Sequence, residues 1–212
     1  MSDLKALSEA VIKGDINSAT QETQKALDSG NSAQDILDKG LIVAMDEVGR
    51  RFSKGLLFVP QMLRSAKTMQ ECMKLFEALF QEGDISSKGK VVIGTVKGDL
   101  HDIGKNLVSM MMEGAGFSIV DLGVDVPPER FVEKVHELKP DIVAMSALLS
   151  TTMPSMRLTI EALKRAGIRG KVKVMIGGAP VTDKYARQIG ADCYGPDAGS
   201  AVTRAKEILG VS

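Results

Sequence analysis

Tryptophan is absent and aromatic residues make up 4% of the chain. That leaves little from which to build the stacking platforms that hold single-stranded nucleic acid. Neither sign of charge prevails, because 27 Lys and Arg balance 27 Asp and Glu. The basic footprint of a nucleic-acid or anionic-membrane binder is therefore missing. Cysteine is scarce: Cys72 and Cys193 stand far apart with no CxxC spacing. This predicts a reduced, cytoplasmic protein rather than a disulfide-stapled one. No apolar run approaches the length of a membrane span, and the opening MSDLKALSEAVIKGD has no signal-peptide pattern. Histidine occurs twice, as His101 and His136. His136 lies among charged residues in ERFVEKVHELK and is expected on a helix surface. The 12 methionines are most simply gap-fillers of a core.

The 212 residues suffice for one domain or two small ones, and the hydrophobic period changes partway along. The first half reads as helices only. Leu4, Leu7 and Val11 share a face, and a second short amphipathic helix covers about 16–28. Leu37, Leu41, Ala44, Met45 and Val48 keep helical spacing. Pro60 suits the first turn of a fourth helix, along which Met62, Ala66, Met69, Met73, Phe76 and Phe80 form a stripe. These four helices predict a small bundle over 1–83. The polar stretch QEGDISSKGK follows, with a linker at 84–89. From 90 to 212, β-rich runs at 90–96, 117–122, 141–146 and 171–178, and a weak one near 192–194, alternate with helical patterns. This predicts a flavodoxin-like (Rossmann-like) α/β domain with a five-stranded parallel sheet. In such sheets ligands bind beyond the carboxyl ends of the strands. KGDLHDIGKN (97–106), Ser146 and Gly177–Gly178 all fall at such ends, on three different strands.

His101 at the mouth of a strand could be an ordinary hydrogen-bonded surface residue. Its neighbours suggest more. Asp99 is near enough in sequence to accept a proton from one ring nitrogen, which would fix the tautomer and free the other nitrogen for a metal. Gly104 lets another molecule approach the backbone without a Cβ in the way. One imidazole cannot hold a bare zinc ion, which takes three or four ligands. A metal here would need most of its ligands from elsewhere, as a macrocycle supplies them.

Asp99-x-His101-x-x-Gly104, Ser146-Ala147-Leu148 and Gly177-Gly178 resemble the DxHxxG, SxL and GG motifs of cobalamin-binding domains. The helical half is similar to the cap domain of methionine synthase and of corrinoid proteins of methyltransferase systems, above all in VGRRFSKGLLFVPQMLRSAKTM. The resemblance spans nearly the whole chain. It implies a cobalamin or related corrinoid, methylcobalamin in the loaded state, with His101 as lower axial ligand of cobalt. Ser146, Gly177 and Gly178 would give its nucleotide tail room and hydrogen bonds, and Leu148 of the SxL motif would belong to the cofactor site. It also implies a hydroxyl meeting Asp99, at Thr152 or nearby Ser150. Phe52, Val59 and Met62 would belong to an apolar roof over the methyl group, although core positions suit them too, Met62 most of all. The chain would be a methyl carrier with no catalytic residue of its own. Its partners would be a substrate-specific methyltransferase, an acceptor methyltransferase and a corrinoid-reactivating protein, with no nucleic acid and no membrane.

Two other readings compete. GDLHD resembles the opening of metallophosphoesterases, whose dinuclear site needs more histidines than this chain has. A cobalamin-dependent regulatory sensor would share the two-part layout but add a DNA-binding segment.

Overall fold

A computed structural model describes residues 4–76 and 87–211. The described chain divides into two compact units, with the helices before Ser87 in one and all the strands, which follow Lys88, in the other.

The helical unit runs α1 (Lys5–Lys13), α2 (Ile16–Asp28), α3 (Ala33–Ile36), a π-helical turn (Leu37–Ile42), α4 (Val43–Ser53) and α5 (Val59–Lys74). Capping sets the boundaries. Gly14 closes α1 in the left-handed conformation at φ 70°. The Asp15 carboxylate accepts the Ser18 N–H at 3.1 Å and opens α2. Ser32 does the same for α3, accepting from Asp35 N–H at 3.1 Å. The Gln61 side chain accepts the Phe58 N–H at 2.9 Å at the start of α5, just after which Pro60 needs no partner. The α3–α4 run is the helix expected around the stripe Leu37 to Val48, widened in the middle by the π turn. There Gly40 packs on α1: a Cβ would meet Leu7 Cδ2 at 2.9 Å. The Ser8 hydroxyl donates to the Gly40 carbonyl at 2.9 Å. The expected stripe Leu37, Leu41, Ala44, Met45 and Val48 is fully buried. Each large apolar side chain so buried contributes roughly 1.5–3 kcal/mol. On α5 the buried face runs Met62, Ala66, Met69, Cys72, so Cys72 takes the place expected for Met73. Phe80 and residues 84–86 of the expected linker lie outside the described residues.

The second unit alternates β1 (Lys90–Thr95), α6 (Ile103–Gly114), β2 (Ser118–Asp121), α7 (Pro128–Leu138), β3 (Ile142–Ser146), α8 (Pro154–Arg165), β4 (Lys173–Gly177), α9 (Asp183–Ile189), β5 (Cys193–Gly195) and α10 (Ala198–Leu209). All strands are parallel, in the order β2-β1-β3-β4-β5. The five-stranded flavodoxin-like sheet expected from the alternation is thus present. Central strands β1, β3 and β4 are buried on both faces, hence their near-continuous Val, Ile and Met. One face packs Val92, Val143, Met145, Val174 and Ile176 against Phe131 of α7, Met156 and Ile160 of α8 and Ile189 of α9. On the opposite face α10 comes so close at Gly195 that a Cβ there would meet the Ala201 Cβ at 2.9 Å. The strand order reverses between β1 and β3, which places the ligand crevice of this topology at their carboxyl ends.

Candidate functional site

Two loops meet at that crevice. One follows β1 and carries Asp99, Leu100, His101 and, at the start of α6, Gly104. The other follows β3 and carries Leu148 to Thr152. Neighbouring residues Thr95, Ser146, Gly177 and Gly195 stand in register across β1, β3, β4 and β5. They share one face of the sheet and are all small, so its carboxyl edge is low on that side.

Asp99 is fully buried and both of its oxygens are engaged. Oδ1 accepts from the His101 N–H at 3.1 Å and lies 2.7 Å from His101 Nδ1. Oδ2 accepts from the Leu148 N–H at 2.7 Å, the Leu149 N–H at 3.3 Å and the Thr152 hydroxyl at 2.7 Å. Burial raises the Asp99 pKa, but the hydrogen bonds from Thr152, His101 and the amides outweigh it and hold the carboxyl well below the usual carboxylate range. An ionised carboxylate can only accept, so His101 Nδ1 donates to it and Nε2 is the nitrogen left for another partner. No described residue hydrogen-bonds Nε2, and the His101 side chain is 51% exposed. A buried, fully satisfied anion therefore aims one open imidazole nitrogen outward.

The same two loops expose large apolar side chains: Leu100 is 72% and Ile103 80% exposed, and Leu148 and Leu149 are also exposed. Exposed apolar side chains gathered on the loops of a ligand crevice suit a binding surface. Gly104 has open space where its Cβ would stand, so nothing described in the protein requires a glycine there. Ser109 on α6 is buried, and its hydroxyl has no hydrogen-bond partner among the described residues. No three His, Cys, Asp or Glu side chains gather as metal ligands among the described residues. A metal bound at His101 must bring its other ligands with it. The open imidazole, the exposed apolar side chains of the two loops and the vacant Cβ space at Gly104 fit a large macrocycle that brings a metal with it.

The structure distinguishes the sequence candidates. Of the two hydroxyls proposed to meet Asp99, Thr152 does so and is buried, whereas Ser150 is exposed. Ser146 ends β3 on the low face. Gly177 and Gly178 are needed by the chain itself. A Cβ on Gly177 would meet the Gly195 carbonyl at 2.9 Å, and one on Gly178 (φ 122°) would overlap the Ala147 carbonyl. In the helical unit Phe52 lies in the last turn of α4 and is partly exposed, Val59 is 38% exposed and Met62 is fully buried. Sequence reasoning missed Leu56 and Phe58, exposed by 65% and 70% in the same stretch. It also missed Thr95, whose hydroxyl donates to the His101 carbonyl at 2.8 Å. Lys105 escaped it too: this buried side chain pairs with Asp121 at the end of β2 and reaches Asn106 Oδ1 at 2.6 Å. His136 sits at the end of α7 as a surface residue.

The chain's likeness to known proteins agrees with this chemistry. Residues 89–203 and residues 3–77 each match a sequence family described as a B12 binding domain. The chain is 46% identical over 210 residues to dimethylamine corrinoid protein 1 of Methanosarcina acetivorans, covering 97% of both chains. It is 45% identical over 205 residues to the trimethylamine corrinoid protein of Methanosarcina barkeri, covering 96% of this chain and 94% of that one. A cobalamin-binding protein of Desulfitobacterium hafniense superposes with a TM-score of 0.84 at 34% identity, over 98% of each chain. The methanol:cobalamin methyltransferase complex of Methanosarcina barkeri contains a chain that matches with a TM-score of 0.86 at 30% identity, over 99% of this chain and 80% of that one. With an Asp-backed imidazole, two matching B12-binding segments and relatives alike along nearly their whole length, this chain belongs to the B12-binding corrinoid proteins of methylamine and methanol methyltransferase systems.

Proposed function

We propose that this chain is a cytoplasmic corrinoid protein that carries a methyl group from a methylamine-specific methyltransferase to a second methyltransferase. The observation that carries the reading is the His101 Nδ1 to Asp99 contact of 2.7 Å, which leaves Nε2 open at the crevice. His101 Nε2 would be the protein's ligand to the cobalt. When bound, the corrinoid supplies the methyl-transfer chemistry through its cobalt; the protein binds, orients and tunes it. Asp99 keeps the ring in the Nδ1–H tautomer and makes the imidazole a better ligand. Thr152 and the Leu148 and Leu149 amides hold the carboxylate still. Leu100 and Ile103 supply apolar contact and exclude water. Ser146, small and partly exposed at the carboxyl end of β3, would leave room for the nucleotide tail. Ser150, exposed near the site, remains within the same proposed set. Phe52, Val59 and Met62 would form or support an apolar roof over the methyl group, with Leu56 and Phe58 added to it.

The methylamine assignment follows the dimethylamine and trimethylamine corrinoid relatives. A substrate-binding methyltransferase partner follows the methanol system, in which such a chain occurs in a complex. A corrinoid-reactivating protein completes the proposed partner set. The test is reconstitution with hydroxocobalamin, reduction to cobalt(II) and electron paramagnetic resonance. The wild type should show nitrogen splitting from the polypeptide and His101→Ala should not. Mixing with candidate methyltransferases then identifies the donor. Equal spectra for the two proteins would overturn the reading.

A further inference from the structure

Asp125 lies in the loop between β2 and α7, in GVDVPP, with φ 54°. Only Asp125 and Lys139 among the described non-glycine residues have a positive φ. Lys139 merely caps α7. A left-handed residue with a Cβ costs about 1–2 kcal/mol, and aspartate tolerates that region better than most residues. Here the conformation places both the side chain and the amide of Asp125 on the segment that carries the histidine. Oδ1 accepts the Gly98 N–H at 2.8 Å. Oδ2 accepts Lys97 Nζ at 2.9 Å. The Asp125 N–H donates to the Asp99 carbonyl at 2.9 Å.

The loop holding Asp125 is itself anchored. Thr95 N–H donates to the Gly123 carbonyl and Val126 N–H to the Thr95 carbonyl, both at 2.9 Å. Asp99 N–H donates to the Val96 carbonyl at 3.1 Å. The peptide unit after Asp99 is tied through the Asp99 carbonyl to Asp125, the unit before it through the Asp99 N–H to Val96, and the Lys97–Gly98 unit through the Gly98 N–H to Asp125, so two of these three successive ties end on Asp125. That fixes the direction in which the Asp99 side chain leaves the backbone. The Lys97 pair is half exposed and contributes little by itself. The amide contacts matter more, because the Gly98 N–H would otherwise lack its acceptor.

We propose that Asp125 is a positioning residue: from the neighbouring strand end it sets the orientation of Asp99 and, through Asp99, of the His101 ring. This rests on the reading that His101 binds the cobalt of a corrinoid. Asp125 touches neither the metal site nor the imidazole.

The test uses full-length wild type, Asp125→Gly and Asp125→Asn, each loaded with hydroxocobalamin and reduced to cobalt(II). Glycine adopts the left-handed backbone without strain but removes both acceptor oxygens. Asparagine tolerates the same backbone and keeps one acceptor for the Gly98 N–H. The fraction of cobalt(II) with nitrogen splitting from the polypeptide should fall by about tenfold or more in D125G, the shift expected from one lost charge-assisted hydrogen bond. D125N should keep most of it. Hydrogen exchange of the Gly98 amide in the unloaded protein should speed up in D125G and stay near wild type in D125N. A wild-type fraction in D125G overturns the proposal, as does a D125N as impaired as D125G. A D125G that does not fold also overturns it, by making Asp125 a determinant of the fold rather than of the site. If wild type itself lacks nitrogen splitting, the underlying assignment of His101 fails first, and that result is distinct from the others.

Discussion

Asp99 receives five donors in a site where only one, the His101 ring, was foreseeable from spacing. The D-x-H interval makes the ring contact a local event, two residues apart on one loop. The Leu148 and Leu149 amides come from about 50 residues away and no local pattern announces them, and the Thr152 hydroxyl, equally distant, was expected from the family resemblance alone. Thr152 prevails over Ser150 because Thr152 N–H closes a turn onto the Leu149 carbonyl at 3.0 Å, which points the Thr152 hydroxyl inward. The network has a consequence for acid stability. The folded Asp99 pKa is depressed relative to about 3.9 in the unfolded chain. Its contribution is therefore complete above that value and is lost as pH falls below it. Asp99→Asn should cost about 2–4 kcal/mol at pH 7. The gap to wild type should shrink steadily below about pH 4. Urea unfolding of the corrinoid-free protein at several pH values reads this directly. A gap that stays constant down to pH 2 would contradict the network.

At the scale of elements, capping and stripe residues were legible and packing substitutions were not. Strand and helix positions in the second unit follow the sequence pattern to within a residue or two, because the period switches cleanly and Gly, Pro, Asp and Thr mark the ends. The π turn at Leu37–Ile42 left no local trace; it accompanies the close approach of Gly40 and α1, a tertiary event. The exchange of Cys72 for Met73 is of the same kind, since a three-residue step and a four-residue step look alike until the partner helix is in place. Two glycines that read alike in the sequence also separate. Gly178→Ala forces a Cβ into the Ala147 carbonyl from a left-handed backbone, and should destabilise the corrinoid-free protein by more than about 3 kcal/mol. Gly104→Ala meets no described atom and lies in the first turn of α6, so it should stabilise the same protein by up to about 1 kcal/mol while weakening corrinoid uptake. Thermal unfolding and pigment titration of the two variants test the pair. Loss of stability in Gly104→Ala would show that the protein, not a ligand, needs that glycine.

For the molecule as a whole, a ligand that binds only the folded chain shifts its unfolding by mass action. Hydroxocobalamin at 100 times its dissociation constant should add about 2.7 kcal/mol. For a chain of this size that raises a transition by roughly 5–10 °C. Calorimetry with and without the corrinoid measures it, and an unmoved transition would mean that the pigment does not select the native state. Sequence alone determined the helical first half, the five-unit α/β second half and the residues of the DxHxxG motif, because each rests on short-range periodicity or on a contact two residues apart. Tertiary structure decided which hydroxyl meets Asp99, why Gly177 and Gly178 have no side chain, and that Asp125 grips the histidine loop. Those outcomes depend on which strand ends become neighbours. Strand order in a parallel sheet is set by long-range packing, which no window of sequence contains.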